Sequence, residues 1–314
     1  MVKVNIRGQA TAPGSLADAL KGVKLKLVTI SGKGGVGKSL VTAAVALGFA
    51  TRGYKVGVLD GDVYGPTVPK MLGLRDATLY VDQKTERIIP VTGPLGVKVV
   101  SIEFALPSDD TAVIWRAPLV NQALRDFIAQ VEWGELDVLV VDLPPGTGDA
   151  PLTIAQSLQG GLDGSVIVTI PSDISRRIVL KAIDFSRKLN IRVAGIVENM
   201  CCFKCPDNDK VYYIFGKDAG KKIADAAGVP FLGGIPIDPE LSQHLDSGKL
   251  HEFLTKDSET SRAILSIVDK LIDIYKEKLT QQVAAARQEK PKRLSLLKLP
   301  GEEEEEEGLG SPRL

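Results

Sequence analysis

Apolar positions along the 314-residue chain recur with two different periods. Short β-branched runs predict strands at 25–30, 56–59, 88–91, 97–101, 136–142, 164–171, 192–200 and 231–238. Between several of them, apolar residues spaced three and four apart predict helices. Val41, Ala44, Val45, Leu47 and Gly48 share one helical face. Leu119, Ala123, Leu124, Phe127, Ile128 and Val131 share another after Pro118. Residues 174–189 form a third helix, and Ile264, Ile267, Val268, Leu271, Ile274 and Leu279 mark a long one over 260–288. LDVLVVD, 136–142, is apolar on both faces, as a central strand covered by helices is. The alternation predicts an α/β fold in a single domain over 24–288: a mostly parallel central sheet with helices on both faces. Residues 1–23 are weakly patterned and read as a lead-in. Residues 289–314 pass from basic and leucine-rich to six glutamates at 302–307, which predicts a disordered tail.

Charge and composition narrow the partners. The chain carries 39 basic and 39 acidic residues, so its net charge gives no general attraction to nucleic acid. No apolar run reaches the roughly 18 residues of a membrane span. The first fifteen residues lack the apolar core of a signal peptide. The expected location is cytoplasmic. Pro291 and Pro300 bracket only a short basic-leucine segment, and anionic lipid would repel the acidic run, so no stable membrane association is expected. Three cysteines in a reducing compartment do not make a disulfide framework.

The densest chemistry lies at SGKGGVGKSL, 31–40, between the first strand and the first helix. Gly32, Gly37, Lys38 and Ser39 fit G-x-x-x-x-G-K-[ST], the P-loop pattern. Backbone N–H groups over Gly34, Gly35, Val36, Gly37, Lys38, Ser39 and Leu40 would cradle the phosphates of ATP, helped by the positive end of the helix dipole. Lys38 would reach the outer phosphates and Ser39 would ligate Mg²⁺. Gly32, Gly34 and Gly37 also spell the dinucleotide pattern, with Asp60 at a suitable distance. A pyrophosphate resting on a dinucleotide fold does not need Lys38 and Ser39, so the P-loop reading leads. Asp60 and Asp62 end the second strand and Asp142 ends LDVLVVD, where open α/β sheets bind ligands. Carboxylates there can support Mg²⁺ or position an attacking water. Asp-Gly-Asp is also ordinary turn chemistry, and Asn199 at a strand end is an ordinary turn former.

All three cysteines, Cys201, Cys202 and Cys205, fall within five residues. Cys202-x-x-Cys205 is a two-thiolate clip, and the two histidines lie far along the chain. Zinc or a four-iron cluster wants four ligands, which one chain does not offer. A two-fold dimer doubles the clip to four thiolates. A thioredoxin-like redox pair is the alternative, though the motif follows a late strand and not the opening of a βαβ unit.

Lys33, directly after the first glycine, gives the loop the K-G-G-x-G-K-[ST] form of the deviant-Walker-A ATPases. Together with LDGDVYGPTVPKMLG, WRAPLV, WGELDVLVVDLPPGTGD and VENM followed by cysteines, the chain resembles their Mrp/ApbC branch over about residues 24–255. The resemblance implies a homodimeric, slowly hydrolysing ATPase that carries a [4Fe–4S] cluster between its subunits and passes it to apo iron–sulfur proteins. It implies that Lys33 crosses to the partner's nucleotide, Asp62 positions water, Asp60 and Asp142 support Mg²⁺, and Asn199 meets adenine. Cys202 and Cys205 are the expected cluster ligands, with Cys201 in reserve. The branch usually writes its clip as C-P-x-C, and here Asn208 stands at the second cysteine. Two relatives of the class supply alternatives: a positioning ATPase like MinD or ParA, and an ATP-dependent electron-transfer protein like nitrogenase iron protein.

Overall fold

A computed structural model describes residues 2–3, 19–63, 65–105, 128–158, 161–172 and 174–280. The chain opens with β1 (Val2–Lys3), β2 (Val23–Ser31), α1 (Lys38–Thr51), β3 (Val56–Asp60) and the short α2 (Val68–Met71). The pairs β4 (Tyr80–Val81), β5 (Ile88–Ile89) and β6 (Val91–Thr92) lead to β7 (Lys98–Ser101) and β8 (Leu136–Asp142). Then come α3 (Asp149–Ser157), β9 (Gly164–Thr169), α4 (Ser175–Lys188), β10 (Val193–Lys204) and β11 (Val211–Tyr212). The remaining elements are α5 (Ala219–Ala227), β12 (Phe231–Ile237), α6 (Pro239–Asp246), α7 (Leu250–Leu254) and α8 (Glu259–Ile274).

Nine strands form one sheet, in the order β6–β7–β3–β8–β2–β9–β10, with β12 on the far side of β10 and β11 pairing its end. Every pairing from β7 through β10 to β12 is parallel; β6 and β11 are antiparallel. β3 and β9 are buried at every residue, and β8 at all but Asp137, because helices cover both faces. Helix α1 is buried from Leu40 to Phe49, so its apolar residues run all round and not along one stripe. A Cβ on Gly48 would lie 2.5 Å from Val268 Cγ2, so glycine there lets α8 press directly onto α1.

The sheet brings the carboxyl ends of β2, β3, β8 and β10 to one edge. Asp60 of β3 pairs in register with Asp142 of β8, which pairs with Thr29 of β2. That is the edge where open α/β sheets bind ligands.

Three expectations need revision. Val2–Lys3, inside the supposed lead-in, pairs with Tyr80–Val81 in a separate three-stranded sheet. The strand expected over 192–200 continues to Lys204, because β11 and β12 supply partners beyond the end of β9. The cysteines therefore lie on a strand and its hairpin and not in an open loop. The long final helix stops at Ile274, with Tyr275 leaving helical geometry and helical residues resuming at 276–280. The tail expected over 289–314, like most of the helix after Pro118, lies outside the described residues.

Candidate functional site

Residues 31–37 make a loop that requires glycine at 32, 35 and 37. Gly35 and Gly37 have φ of 78° and 82°, a region closed to most side chains. A Cβ on Gly32 would come within 2.0 Å of Ile178 Cγ2 on α4, and one on Gly37 within 2.1 Å of Asn199 Nδ2. Gly37 then caps α1, whose first turn carries no acidic residue of its own, so its N–H groups and dipole suit an anion. The loop of 143–148 lies against this one, with Gly146 N donating to Ser31 O at 2.8 Å.

Beneath the loop, one carboxylate gathers four donors. Asp142, fully buried, accepts from Lys38 Nζ at 2.7 Å and from Ser39 Oγ at 2.6 Å on one oxygen. Its other oxygen accepts from Thr42 Oγ1 at 2.6 Å and Thr29 Oγ1 at 3.0 Å. A buried ion costs several kcal/mol of desolvation, and this donor set is what offsets it. Asp62 Oδ2 lies 3.6 Å from the same Lys38 Nζ. Asp60 accepts from the backbone N–H of Asp62 and of Val68. Burial, then the neighbouring Asp142 charge, pushes its carboxyl well above the usual range. Asp62 and Asp142 thus meet at Lys38, with Asp60 beside Asp142 on the neighbouring strand, and the Ser39 hydroxyl and these carboxylates are oxygen donors of the kind a hard cation takes. Lys33 is half-buried, and its carbonyl accepts from Ser31 Oγ.

Asn199 does not stand apart from the loop. Its side chain is 2 % exposed and donates from Nδ2 to Val36 O at 3.0 Å. An amide has a second N–H and an oxygen for another partner. The next residues break the strand. β10 and β12 are paired at Asn199↔Ile235 and again only at Phe203↔Ile237, so four steps on β10 face two on β12. Met200 takes φ 57°, and Pro236 opposite the break has no N–H to continue the ladder.

Cys201 and Cys202 lie in this break. The bulge undoes the usual alternation of side chains, and their sulfurs come to 3.4 Å. Burial pushes the Cys201 thiol up to about 12, and the site of a Cβ on Gly234 is 2.9 Å from its sulfur. Cys205 opens the hairpin turn, closed by Cys205 N to Lys210 O and Asp209 N to Cys205 O. Asn208, standing at the usual second cysteine, serves that turn: its Oδ1 accepts from Lys210 N at 3.0 Å. The hairpin returns through Val211, Tyr212, Tyr213, Ile214 and Phe215, five consecutive exposed apolar residues.

Three participants escaped the sequence reading. Thr42 lies one helical turn beyond Lys38 on the same face, which spacing could have shown. Thr29 and Glu198 are polar interruptions in apolar strands. Glu198, 3 % exposed, accepts from Gly220 N at the start of α5, whose N-cap Asp218 makes no side-chain cap.

The parallel sheet, the glycine loop with its lysine–serine pair and the converging carboxylates define a P-loop nucleoside triphosphatase. The family model described as the NUBPL iron-transfer P-loop NTPase matches residues 22–272, and the chain belongs to that family. It is 50% identical over 255 residues to the iron-sulfur cluster carrier protein of Saccharolobus solfataricus, covering 81% of this chain and 85% of that one. The iron-sulfur cluster carrier protein of Aquifex aeolicus is 47% identical, over 82% of this chain and 70% of its own. A nucleotide-binding protein from Archaeoglobus fulgidus, solved in complex with ADP, superposes with a TM-score of 0.69 at 37% identity, covering 79% of this chain and 94% of that one. The cell-division ATPase MinD of Pyrococcus furiosus, at 20% identity and a TM-score of 0.57 over 80% of this chain and 99% of that one, shares the fold.

Proposed function

We propose that this protein is an ATP-hydrolysing iron–sulfur cluster carrier that works as a homodimer in the cytoplasm. The observation that carries the reading is the placement of the thiols: Cys201 and Cys202 follow two and three residues after Asn199, which touches the P-loop. Nucleotide and thiol chemistry thus share one strand. Relatives named for cluster carriage, at up to 50% identity, support it.

The residues divide the work. Backbone N–H groups of 34–40 hold the phosphates, and Lys38 exchanges part of its contact with Asp142 for phosphate oxygen. Mg²⁺, held by Ser39 and the water-linked Asp60 and Asp142, would neutralise charge on the outer phosphates. Asp62, near Lys38 and not at its tightest contact, orients the attacking water. Asn199 offers its remaining amide groups to adenine, and Lys33 reaches the partner's nucleotide. Among the described residues no three His, Cys, Asp or Glu side chains are grouped as a metal site, so one chain's thiols fall short of four. Cys202 and Cys205 from each of two chains supply four for a [4Fe–4S] cargo. The exposed 211–215 run beside them gives a second copy an apolar surface to cover. Delivery is to apo-proteins that lack their cluster.

Anaerobic reconstitution with iron and sulfide tests the reading. About four of each per dimer are expected, with uptake lost when Cys202 and Cys205 are both changed to Ser. A folded, ATP-binding protein that takes up no stoichiometric iron would overturn it and favour a positioning ATPase.

A further inference from the structure

The P-loop and the thiols are joined by a short, partly unpaired piece of β10. Below the break the strand is fixed: Glu198 pairs with both β9 and β12 and holds the start of α5 through Gly220 N, and Asn199 pairs with Ile235. Above it, Phe203 is fixed between Tyr212 and Ile237. Only Met200, Cys201 and Cys202 lie between these anchors without a partner in the β12 register. Asn199 reaches from the lower anchor to the loop, its amide on Val36 O and against the Gly37 backbone. Phosphate binding at a P-loop draws on its backbone N–H groups, and the Gly37 N–H belongs to the Val36–Gly37 peptide whose carbonyl Asn199 holds. A displacement there is passed to Asn199, and the compliant residues next in the chain are the ones carrying the thiols.

We propose that Asn199 positions the cysteine segment through its hold on the P-loop, so that the state of the nucleotide site sets the exposure of Cys202. The inference rests on the nucleotide half of the function proposed above and is independent of cluster binding. It assigns Met200 a role of its own. Met200 sits in the small left-handed region at φ 57°, and its side chain leaves it few other backbone conformations. Glycine at that position adopts this and other conformations freely, and a slack link transmits nothing.

The test uses the full chain free of iron. Alkylation of Cys202 by iodoacetamide is followed by mass mapping, with and without saturating Mg²⁺ and a non-hydrolysable ATP analogue. The expected result is a change in the Cys202 rate of about threefold or more on adding the analogue. In Met200→Gly, which touches no nucleotide group, the ratio should fall to about one while analogue affinity stays within about twofold. Asn199→Ala, assayed at analogue concentrations raised to saturate it, should also give a ratio near one, and serves if the glycine variant fails to fold. Two results overturn the proposal. One is a ratio of one in the unaltered protein at saturation. The other is a ratio that survives in either variant, which would place the effect in subunit association. Because no cluster is present, failure of the carrier reading leaves both outcomes readable.

Discussion

Lys38 and Asp142 are 104 residues apart in the chain and 2.7 Å apart in the structure, with the carboxylate wholly buried. The pair serves both fold and function. Removing the ammonium leaves a buried charge with only hydroxyl partners, a change that typically costs about 3 kcal/mol or more. Lys38→Ala should therefore lower the urea unfolding free energy by about that amount, besides abolishing ATP hydrolysis. Unchanged stability would mean that Ser39, Thr29 and Thr42 satisfy Asp142 alone.

Gly37→Ala combines two penalties, a left-handed backbone at φ 82° and a methyl 2.1 Å from Asn199 Nδ2. ATP affinity should fall at least tenfold, about 1.4 kcal/mol, and the Asn199 side-chain amide resonances should move in the nucleotide-free spectrum. Wild-type affinity would show that the loop rearranges freely around Asn199.

The three thiols should separate by reactivity. Burial raises the Cys201 thiol to about 12, so it holds almost no thiolate at pH 8. Mass mapping of a limited iodoacetamide reaction should find Cys201 alkylated last. Cys201→Ser should keep full iron uptake, whereas Cys202→Ser should not. The reverse pattern would make Cys201 the ligand.

Tyr275, where α8 ends, donates its hydroxyl to Asp163 O at 3.2 Å, and burial raises the phenol from 10.0 to about 12. Between those values the unfolded chain has lost the phenol proton and the native chain keeps it, so stability falls as pH rises through that window. Tyr275→Phe loses about 1 kcal/mol of hydrogen bonding at pH 8, and the deficit should shrink by pH 11. Parallel denaturation curves at the two pH values check this; a constant deficit would refute it.

The sheet, its parallel order and the nucleotide loop were legible because each is written locally. Buried parallel strands are continuous apolar runs, and Gly37-Lys38-Ser39 sits between a strand and a helix. Asp60 and Asp142 could be placed at strand ends, though that their strands are neighbours is a property of sheet order and not of either segment. The path beyond Asn199 was not legible. It depends on Pro236, thirty-odd residues later, lying opposite Met200–Cys202 and breaking the ladder there. Asn208 read as a missing ligand, and only the hairpin geometry shows the turn it closes. The halt at Ile274 was equally hidden, since the apolar period continues through Leu279 while Tyr275 leaves helical geometry with its hydroxyl bonded to Asp163 O.

The placement of Asn199 and the cysteines on one strand also constrains how this protein can change over generations. An insertion or deletion upstream in β10 would shift the Asn199 amide and the Cys201 and Cys202 sulfurs together. If the proposed roles hold, a chimera that exchanges residues 198–210 between two members of the family would carry the Asn199 contact and all three thiols at once, whereas exchanging residues 205–210 would move Cys205 and leave Asn199 with its original host.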